Sequence, residues 1–71
     1  MKITYDKSID AAKIYLIDIQ PGGVKKTYTC DPLEVGEINL DFDINDFLIG
    51  IEVQDASKKL PPEILEKAVL I

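Results

Sequence analysis

The residues with the strongest resemblance to a functional site are acidic side chains in the middle of the chain. Asp41, Asp43 and Asn45 have the spacing of the first three ligands of an EF-hand calcium loop, and Glu52 falls where that loop places its last ligand. Two features oppose calcium binding, because Asp46 stands where the loop needs glycine and strand patterns flank it where helices belong. We expect no dedicated metal site, and a weak calcium contact of Asp41, Asp43 and Asn45 is kept as an alternative.

Acid–base and thiol chemistry are the other possibilities. Asp41 and Asp43 share one strand face, and Glu52 is expected across from them, as the paired carboxylates of a glycosidase would be. A chain without Trp, His or Arg has few side chains with which to line a substrate cleft, and Cys30 has no histidine to act as its base. The sequence therefore predicts a protein that is not an enzyme and that needs no cofactor.

These acids belong to a predicted β-hairpin that covers residues 38–57. Apolar and polar residues alternate from Ile38 to Phe42 and again after the turn, so one row of each strand faces a core. Asn45 and Asp46 suit the turn because short Asx side chains tolerate the left-handed backbone. Gly50, inside the second strand, indicates a bulge or the close approach of another backbone. The core-facing residues predicted for the second strand are Phe47, Ile49, Ile51 and Val53.

The segments before the hairpin also read as strands. Residues 1–5 alternate between apolar and polar types, and residues 11–19 contain an apolar run typical of a central strand, with a helix as the alternative. Residues 24–30 are rich in β-formers and begin with two lysines, which is typical of an edge strand. Residues 31–36 form a connector, because Pro32 disfavours helix at Asp31.

A short amphipathic helix is predicted at the end of the chain. Pro61 and Pro62 fit only at a helix start. The helix dipole favours an acid such as Glu63 in the first turn, and Glu63 is spaced to pair with Lys67. The residues at helical spacing on its apolar side are Ile64, Leu65, Ala68 and Val69. The predicted fold is α+β: a small, mostly antiparallel sheet of four to five strands, followed by this helix.

Length and charge limit the possible partners. The 71 residues form a single domain, 1–71, which is too short to bury all of its apolar residues, so oligomerisation is the natural supplement. A net charge of −5, with no arginine, argues against a nucleic-acid partner and suits a basic protein. The sequence shows no apolar run long enough to span a membrane and no signal-peptide pattern, so we expect a soluble cytoplasmic protein.

Several short motifs resemble the prokaryotic domain-of-unknown-function family 2283. They are Tyr5-Asp6, Asp10-Ala11, Leu40-Asp41-Phe42-Asp43, Gly50-Ile51-Glu52-Val53 and Asp55-Ala56-Ser57. The sequence departs from the family pattern at Lys13, where tyrosine is usual, and at Asp46, where the turn has glycine. The resemblance implies a small sheet-and-helix fold with no established activity. Some relatives are similar to the smaller partners of toxin–antitoxin pairs, which would make this chain an antitoxin-like cover for a small basic ribonuclease-type toxin.

The function expected from the sequence is therefore protein interaction, with a homodimer as the leading form. The antitoxin-like role and weak calcium binding are the alternatives. The candidate interaction or structural residues are Asp10, Gly50, Glu52, Asp55, Ser57, Ile64 and Leu65.

Overall fold

A computed structural model describes all of residues 1–71 as one mixed sheet with three short helices. The strands are β1 Lys2–Asp6, β2 Ala11–Tyr15, β3 Lys26–Thr29, β4 Ile38–Phe42, β5 Leu48–Gln54 and β6 Val69–Leu70. The helices are α1 Pro32–Val35, α2 Ala56–Lys59 and α3 Pro62–Glu66.

The sheet has six strands in the order β3-β4-β5-β2-β1-β6. All neighbours are antiparallel except β1 and β6, which are parallel. The α+β class is confirmed, whereas the predicted count of four to five strands and a single C-terminal helix is wrong. The added elements are two to four residues long, too short for a periodic sequence pattern to reveal.

The first two strands form a hairpin close to the predicted ranges: β1 runs one residue past the predicted 1–5, and β2 lies within the predicted 11–19. β2 ends at Tyr15, although the apolar run continues, and the following segment turns so that Ile19 lies over the face of β5. It fits there because Gly50 has no side chain: a Cβ on Gly50 would lie 3.2 Å from Ile19 Cδ1 and 3.4 Å from Asp41 Oδ2. Of the two alternatives predicted for Gly50, the bulge is confirmed, since the β4–β5 register shifts beside it, and the close approach is made by side chains instead of another backbone.

The third strand lies at the edge of the sheet, as predicted, and is followed by a helix where a connector was expected. Asp31 is the N-cap of α1 and accepts a hydrogen bond from the Leu33 amide at 3.0 Å, with Pro32 in the first turn. Gly36 ends the helix with φ near 75°. Asp31 itself is extended, so the constraint from proline holds at that residue while the helix begins immediately after it.

The central hairpin is confirmed, with a correction at its turn. Asp46 has the left-handed φ of 65° expected of a turn residue, and the β4–β5 register shifts between Asp41 and Phe42, next to Gly50. Phe47 is 66% exposed and lies outside β5, so its predicted place among the core residues is wrong. The loop holds it there, since Phe47 N donates to Asp43 Oδ1 and Phe47 O accepts from Asp43 N.

The C-terminal helix begins at Pro62 as predicted but is shorter than expected. Lys67 is its C-cap, and Val69 belongs to β6, where it is exposed. The chain therefore returns to the sheet instead of completing the predicted apolar stripe. Glu63 and Lys67 make no ion pair; the two ion pairs in the structure are Lys13–Asp41 and Lys26–Asp46.

The two faces of the sheet differ in chemistry, as strand register shows. On the apolar face, one line of cross-strand neighbours is covered by α2 and α3, and we call it the covered row: Ile38, Val53, Ala12 and Tyr5. The next line crosses five strands, and we call it the open row: Tyr28, Leu40, Ile51, Ile14 and Ile3. The polar face carries Thr4, Lys13, Tyr15, Glu52, Asn39, Asp41, Thr27 and Thr29.

Candidate functional site

A single carboxylate, that of Asp10, joins the first hairpin to the helix after β5. Its Oδ1 accepts hydrogen bonds from the Tyr5 hydroxyl at 2.6 Å and from the Ser57 amide at 3.0 Å. Its Oδ2 accepts from Ser57 Oγ at 2.7 Å, and its backbone carbonyl accepts from the Ala56 amide at 2.9 Å. We call Tyr5, Asp10, Ala56 and Ser57 the Asp10 tie.

Local backbone geometry explains why Asp10 caps a helix so far along the chain. Asp55 stands at the N-cap of α2 with a left-handed φ of 53°, and its side chain makes no capping bond. The Ser57 amide at the second helical position would be left without a partner, and Asp10 supplies one across 47 residues of sequence. Asp10, with φ of 51°, also turns the β1–β2 hairpin.

The tie shifts the pKa values of its two titratable groups in opposite directions. The hydrogen bond from Tyr5, followed by those from Ser57, lowers the pKa of Asp10. The same bond to Asp10, together with desolvation and the nearby negative charge, raises the pKa of the Tyr5 hydroxyl. Both shifts favour the state in which Asp10 is ionised and Tyr5 is protonated.

The chemistry available to the Asp10 tie is structural. The Ser57 hydroxyl donates to a carboxylate whose oxygens already accept two other hydrogen bonds, and the chain has no histidine to remove its proton. Ala56 is fully buried beside Ala12 and Val53, so the tie holds α2 against the covered row. Of the predicted interaction or structural residues, Asp10 and Ser57 meet here with Asp55 adjacent.

A second polar cluster lies on the polar face around Asp41, which is only 7% exposed. Its Oδ2 lies 3.3 Å from Lys13 Nζ, and its Oδ1 accepts from Thr27 Oγ1 at 2.8 Å. These contacts satisfy the carboxylate and link β2 to the edge strand β3. The Lys13 ammonium and the Thr27 hydroxyl together offset the cost of burying the Asp41 carboxylate.

The predicted pairing of Glu52 with Asp41 and Asp43 is wrong in its geometry. Glu52 stands opposite Asn39 on one side and Lys13 on the other, and its carboxylate is 3.4 Å from Asn39 Nδ2. Asp43 lies beyond the end of β4, in the turn. The register shift places Gly50 opposite Asp41 and leaves no facing carboxylate pair.

The acidic turn likewise gives no support to a calcium contact. Asp43 Oδ1 accepts from the amides of Asn45 and Phe47 at 2.9 and 3.0 Å, which closes the turn. The Asp41 carboxylate is engaged by Lys13 and Thr27 on the polar face. No group of three or more His, Cys, Asp or Glu residues is placed to hold a metal ion.

The other residues considered in the sequence differ in how they contact the core. Leu65 packs against the cluster of Ala12, Val53 and Ala56, whereas Ile64 is half-buried and lies outside that cluster. Gly50 is buried under Ile19. Cys30 is a free, half-buried thiol at the end of the edge strand.

Sequence reasoning missed two features of the site. Tyr5 was not expected to reach Asp10, although both lie in motifs that carry the family resemblance. The open row was missed because alternation identifies the apolar side of each strand but not which strands are neighbours. Ile3, Ile14 and Tyr28 join the hairpin residues only through the observed strand order.

The fold and the Asp10 tie make this chain a small single-sheet α+β protein in which a turn aspartate caps a distant helix. The sequence model of the family described as Protein of unknown function (DUF2283) matches residues 2–57, and the chain belongs to this family. The matched range contains every residue of the Asp10 tie and leaves out α3 and β6.

Comparisons with curated proteins and with solved structures returned no match. None of the helices has the length and apolar character needed to cross a membrane. The basic toxin-like partner is tested by none of these findings and stays a prediction.

Proposed function

We propose that this chain is a non-enzymatic protein-interaction module that acts as a homodimer, with the open row as its contact surface. The observation that carries the proposal is the row itself, in which five apolar side chains lie side by side across five strands and none is buried. An apolar sheet face requires a covering layer about 10 Å away. With four and five residues, α2 and α3 pack mainly on the neighbouring row, and of the open row only Ile51 contacts the core cluster of Ala12, Val53 and Ala56.

The surface area of the molecule supports this proposal. A compact monomer of its mass exposes about 4,400 Å², whereas this chain exposes 4932 Å². Its radius of gyration, 12.1 Å, also exceeds the value of about 11 Å expected for its length. The shape is flat, with a smallest dimension of 18 Å, as expected of a sheet covered on only part of one face.

A second copy of the chain is the occupant that the chemistry of the row favours. The row contains no Asp, Glu or Lys, so two copies come together face to face without burying an unpaired charge. A two-fold contact is self-complementary and uses the same patch on both subunits. Ile3, Ile14, Leu40 and Ile51 are already half-buried in the single chain, so in a dimer each contributes only part of the roughly 1.5–3 kcal/mol of a fully transferred side chain. The exposed Tyr28 adds its own area, and these gains act together against the cost of association.

The engagement of the polar groups supports a non-enzymatic role. The side chains of Asp10, Ser57 and Asp41 all form hydrogen bonds or ion pairs with other residues of the same chain. The largest surface depression, about 450 Å³, is open and lies between the start of β1 and the segment after β2, and neither Asp10, Ser57 nor Asp41 lines it. Its lining residues are Met1, Lys2, Tyr15, Ile17, Asp18 and Ile19.

The proposal is tested by measuring mass in solution with light scattering after size-exclusion chromatography. At tens of micromolar we expect a dimer for the unaltered chain and a shift toward monomer for Ile14→Gln, because glutamine places an amide in the middle of the row. A monomer for the unaltered chain at this concentration would overturn the proposal.

The matched control is Ile17→Gln, the same substitution at a residue that is 53% exposed and outside the row. It is expected to remain a dimer. Circular dichroism confirms that each variant is folded, and Leu40→Gln replaces Ile14→Gln if the latter unfolds. Equal weakening by the row variant and the control would also contradict the proposal.

A further inference from the structure

The outer edge of β3 is an open strand edge of useful length. β3 stands at one end of the strand order, so no strand pairs with its outer side, and all four of its residues are exposed. The opposite edge, β6, has only two residues. An unpaired edge presents amide and carbonyl groups that can accept another strand.

The hydrogen-bond pattern shows which groups of β3 point outward. The Cys30 amide donates to the Ile38 carbonyl at 2.9 Å, so Cys30 faces β4. In an antiparallel pair the bonded positions alternate, which directs Tyr28 toward β4 and leaves Thr27 and Thr29 facing the open edge.

We propose that β3 of a second copy pairs antiparallel with this edge, on a two-fold axis that passes through Tyr28. In this register Thr27 exchanges backbone hydrogen bonds with the partner's Thr29, and Tyr28 lies beside the partner's Tyr28. Lys25 then stands opposite the partner's Asp31. Threonine pairs, aromatic pairs and opposite charges are the cross-strand neighbours that stabilise antiparallel strands.

Charge complementarity favours a second copy, because an antiparallel pair brings Lys25, just before one β3, near the partner's Asp31, just after the other. The Lys25 amide donates to the Phe42 carbonyl and Asp31 caps α1, so only their side chains take part in this contact. The strand itself sets the register, because centring the axis on Thr27 would place Tyr28 opposite the partner's Lys26 and lose the aromatic pair. The second lysine of the strand does not obstruct pairing, since Lys26 Nζ lies 3.0 Å from Asp46 Oδ1 within its own chain.

This edge contact is independent of the face contact proposed above. The two-fold axis is perpendicular to the sheet, so both open rows lie on the same side and form one continuous apolar strip. At the tens of micromolar of the mass measurement the face contact alone forms the dimer, and at higher concentration the edge contact joins two such dimers into a tetramer.

The test is disulfide trapping of Tyr28→Cys in a Cys30→Ser background. Facing residues of a non-hydrogen-bonded antiparallel pair have Cα atoms about 4.5 Å apart, within reach of a disulfide. On mild oxidation we expect a covalent dimer on a non-reducing gel. The control is Thr29→Cys in the same background, whose thiols would lie too far apart to join. A cross-link at position 29 and none at 28 overturns this register, and no cross-link at either position overturns the proposal.

Charge variants test the ion pair, with Tyr28→Cys/Cys30→Ser as the parent. We expect Lys25→Asp to lower the cross-link yield several-fold and Asp31→Asn, which keeps a capping side chain for α1, to lower it as well. An unchanged yield for Lys25→Asp overturns the ion pair and with it the choice of a second copy. Repeating the trapping with Ile14→Gln added separates the two contacts, because a cross-link that persists there shows edge pairing without the face contact, whereas its loss in folded protein overturns their independence.

Discussion

Asp10 joins two distant parts of the chain through one residue. Its carboxylate and carbonyl together accept four hydrogen bonds, and three of them come from residues 56 and 57. The bonds satisfy the first amides of α2, which would otherwise have no protein partner. Removing the side chain therefore affects both the hairpin turn and the helix.

We expect Asp10→Ala to lower the urea concentration at the midpoint of unfolding, because the variant loses the cap of α2 and the hydrogen bond from Tyr5. Asp10→Asn keeps an acceptor for Tyr5 and tolerates the left-handed backbone, so we expect a smaller loss. Urea unfolding followed by circular dichroism measures both. The control Asp18→Ala removes an exposed acid that accepts only from Gln20 and should change stability by less than about 0.5 kcal/mol. Equal effects at Asp10 and Asp18 would contradict the role of the tie.

The pKa shifts of the tie give stability a defined pH dependence. The pKa of Asp10 is lowered in the folded state, so its contribution is complete above the unfolded value of about 3.9 and is lost as the pH falls through the folded value. The pKa of Tyr5 is raised, so its contribution is complete below about 10 and is lost as the pH rises through the folded value. We expect the stability difference between the unaltered chain and Asp10→Asn to shrink in acid, and that to Tyr5→Phe to shrink in alkali. Differences that stay constant from pH 2 to 11 would refute this assignment.

At the scale of elements, α2 begins without a cap from its own N-terminal residue. Asp55 holds a left-handed backbone that suits glycine best, and its side chain contributes no capping bond. The element therefore depends on the hairpin turn for its start and on Ala56 for its packing. Short helices of this kind have little stability of their own.

We expect the free energy of unfolding of Asp55→Gly to lie within about 0.5 kcal/mol of that of the unaltered chain or above it, because glycine adopts the left-handed backbone without strain. Asp55→Ala should cost about 1 kcal/mol, since alanine does not tolerate this conformation. Urea unfolding compares the two, with Asp55→Asn as the conservative control. Equal stability of the glycine and alanine variants would show that the backbone at this position is not strained.

At the scale of the whole molecule, the sheet is wider than its helices can cover. Only Ala12, Ile49, Val53 and Ala56 are buried apolar residues, and the open row lies beside them. A flat molecule of this kind gains stability from association, and in the proposed dimer that gain is linked to concentration.

We expect the thermal midpoint of unfolding to rise by about 5 °C when the protein concentration rises a hundredfold, because the folded dimer is favoured by mass action. Scanning calorimetry or circular dichroism at two concentrations measures the shift. Ile14→Gln should show a smaller shift than Ile17→Gln. A midpoint that does not change with concentration would argue for a folded monomer.

The sequence by itself determined the local elements. Alternation and β-forming residue types predicted β1, β3, β4 and β5 to within one or two residues of their observed ends, the acidic turn after Phe42 was expected from its Asx residues, and Pro62 marked the helix start, because these signals arise from neighbouring residues. The family resemblance was also correct, since its motifs are short and local. Chain-local signals could not reveal α2 or β6, because each exists only through contacts with distant residues.

Only the tertiary structure decided how those elements meet. Strand order set Ile3, Ile14 and Tyr28 in one line with Leu40 and Ile51, and register shifted Asp41 away from Glu52 and onto Lys13. The cap of α2 comes from a residue 47 positions earlier, which no spacing rule anticipates. The physical reason is the same in each case, because long-range pairing depends on which surfaces fit when the whole chain collapses, and each strand pattern is compatible with several neighbours.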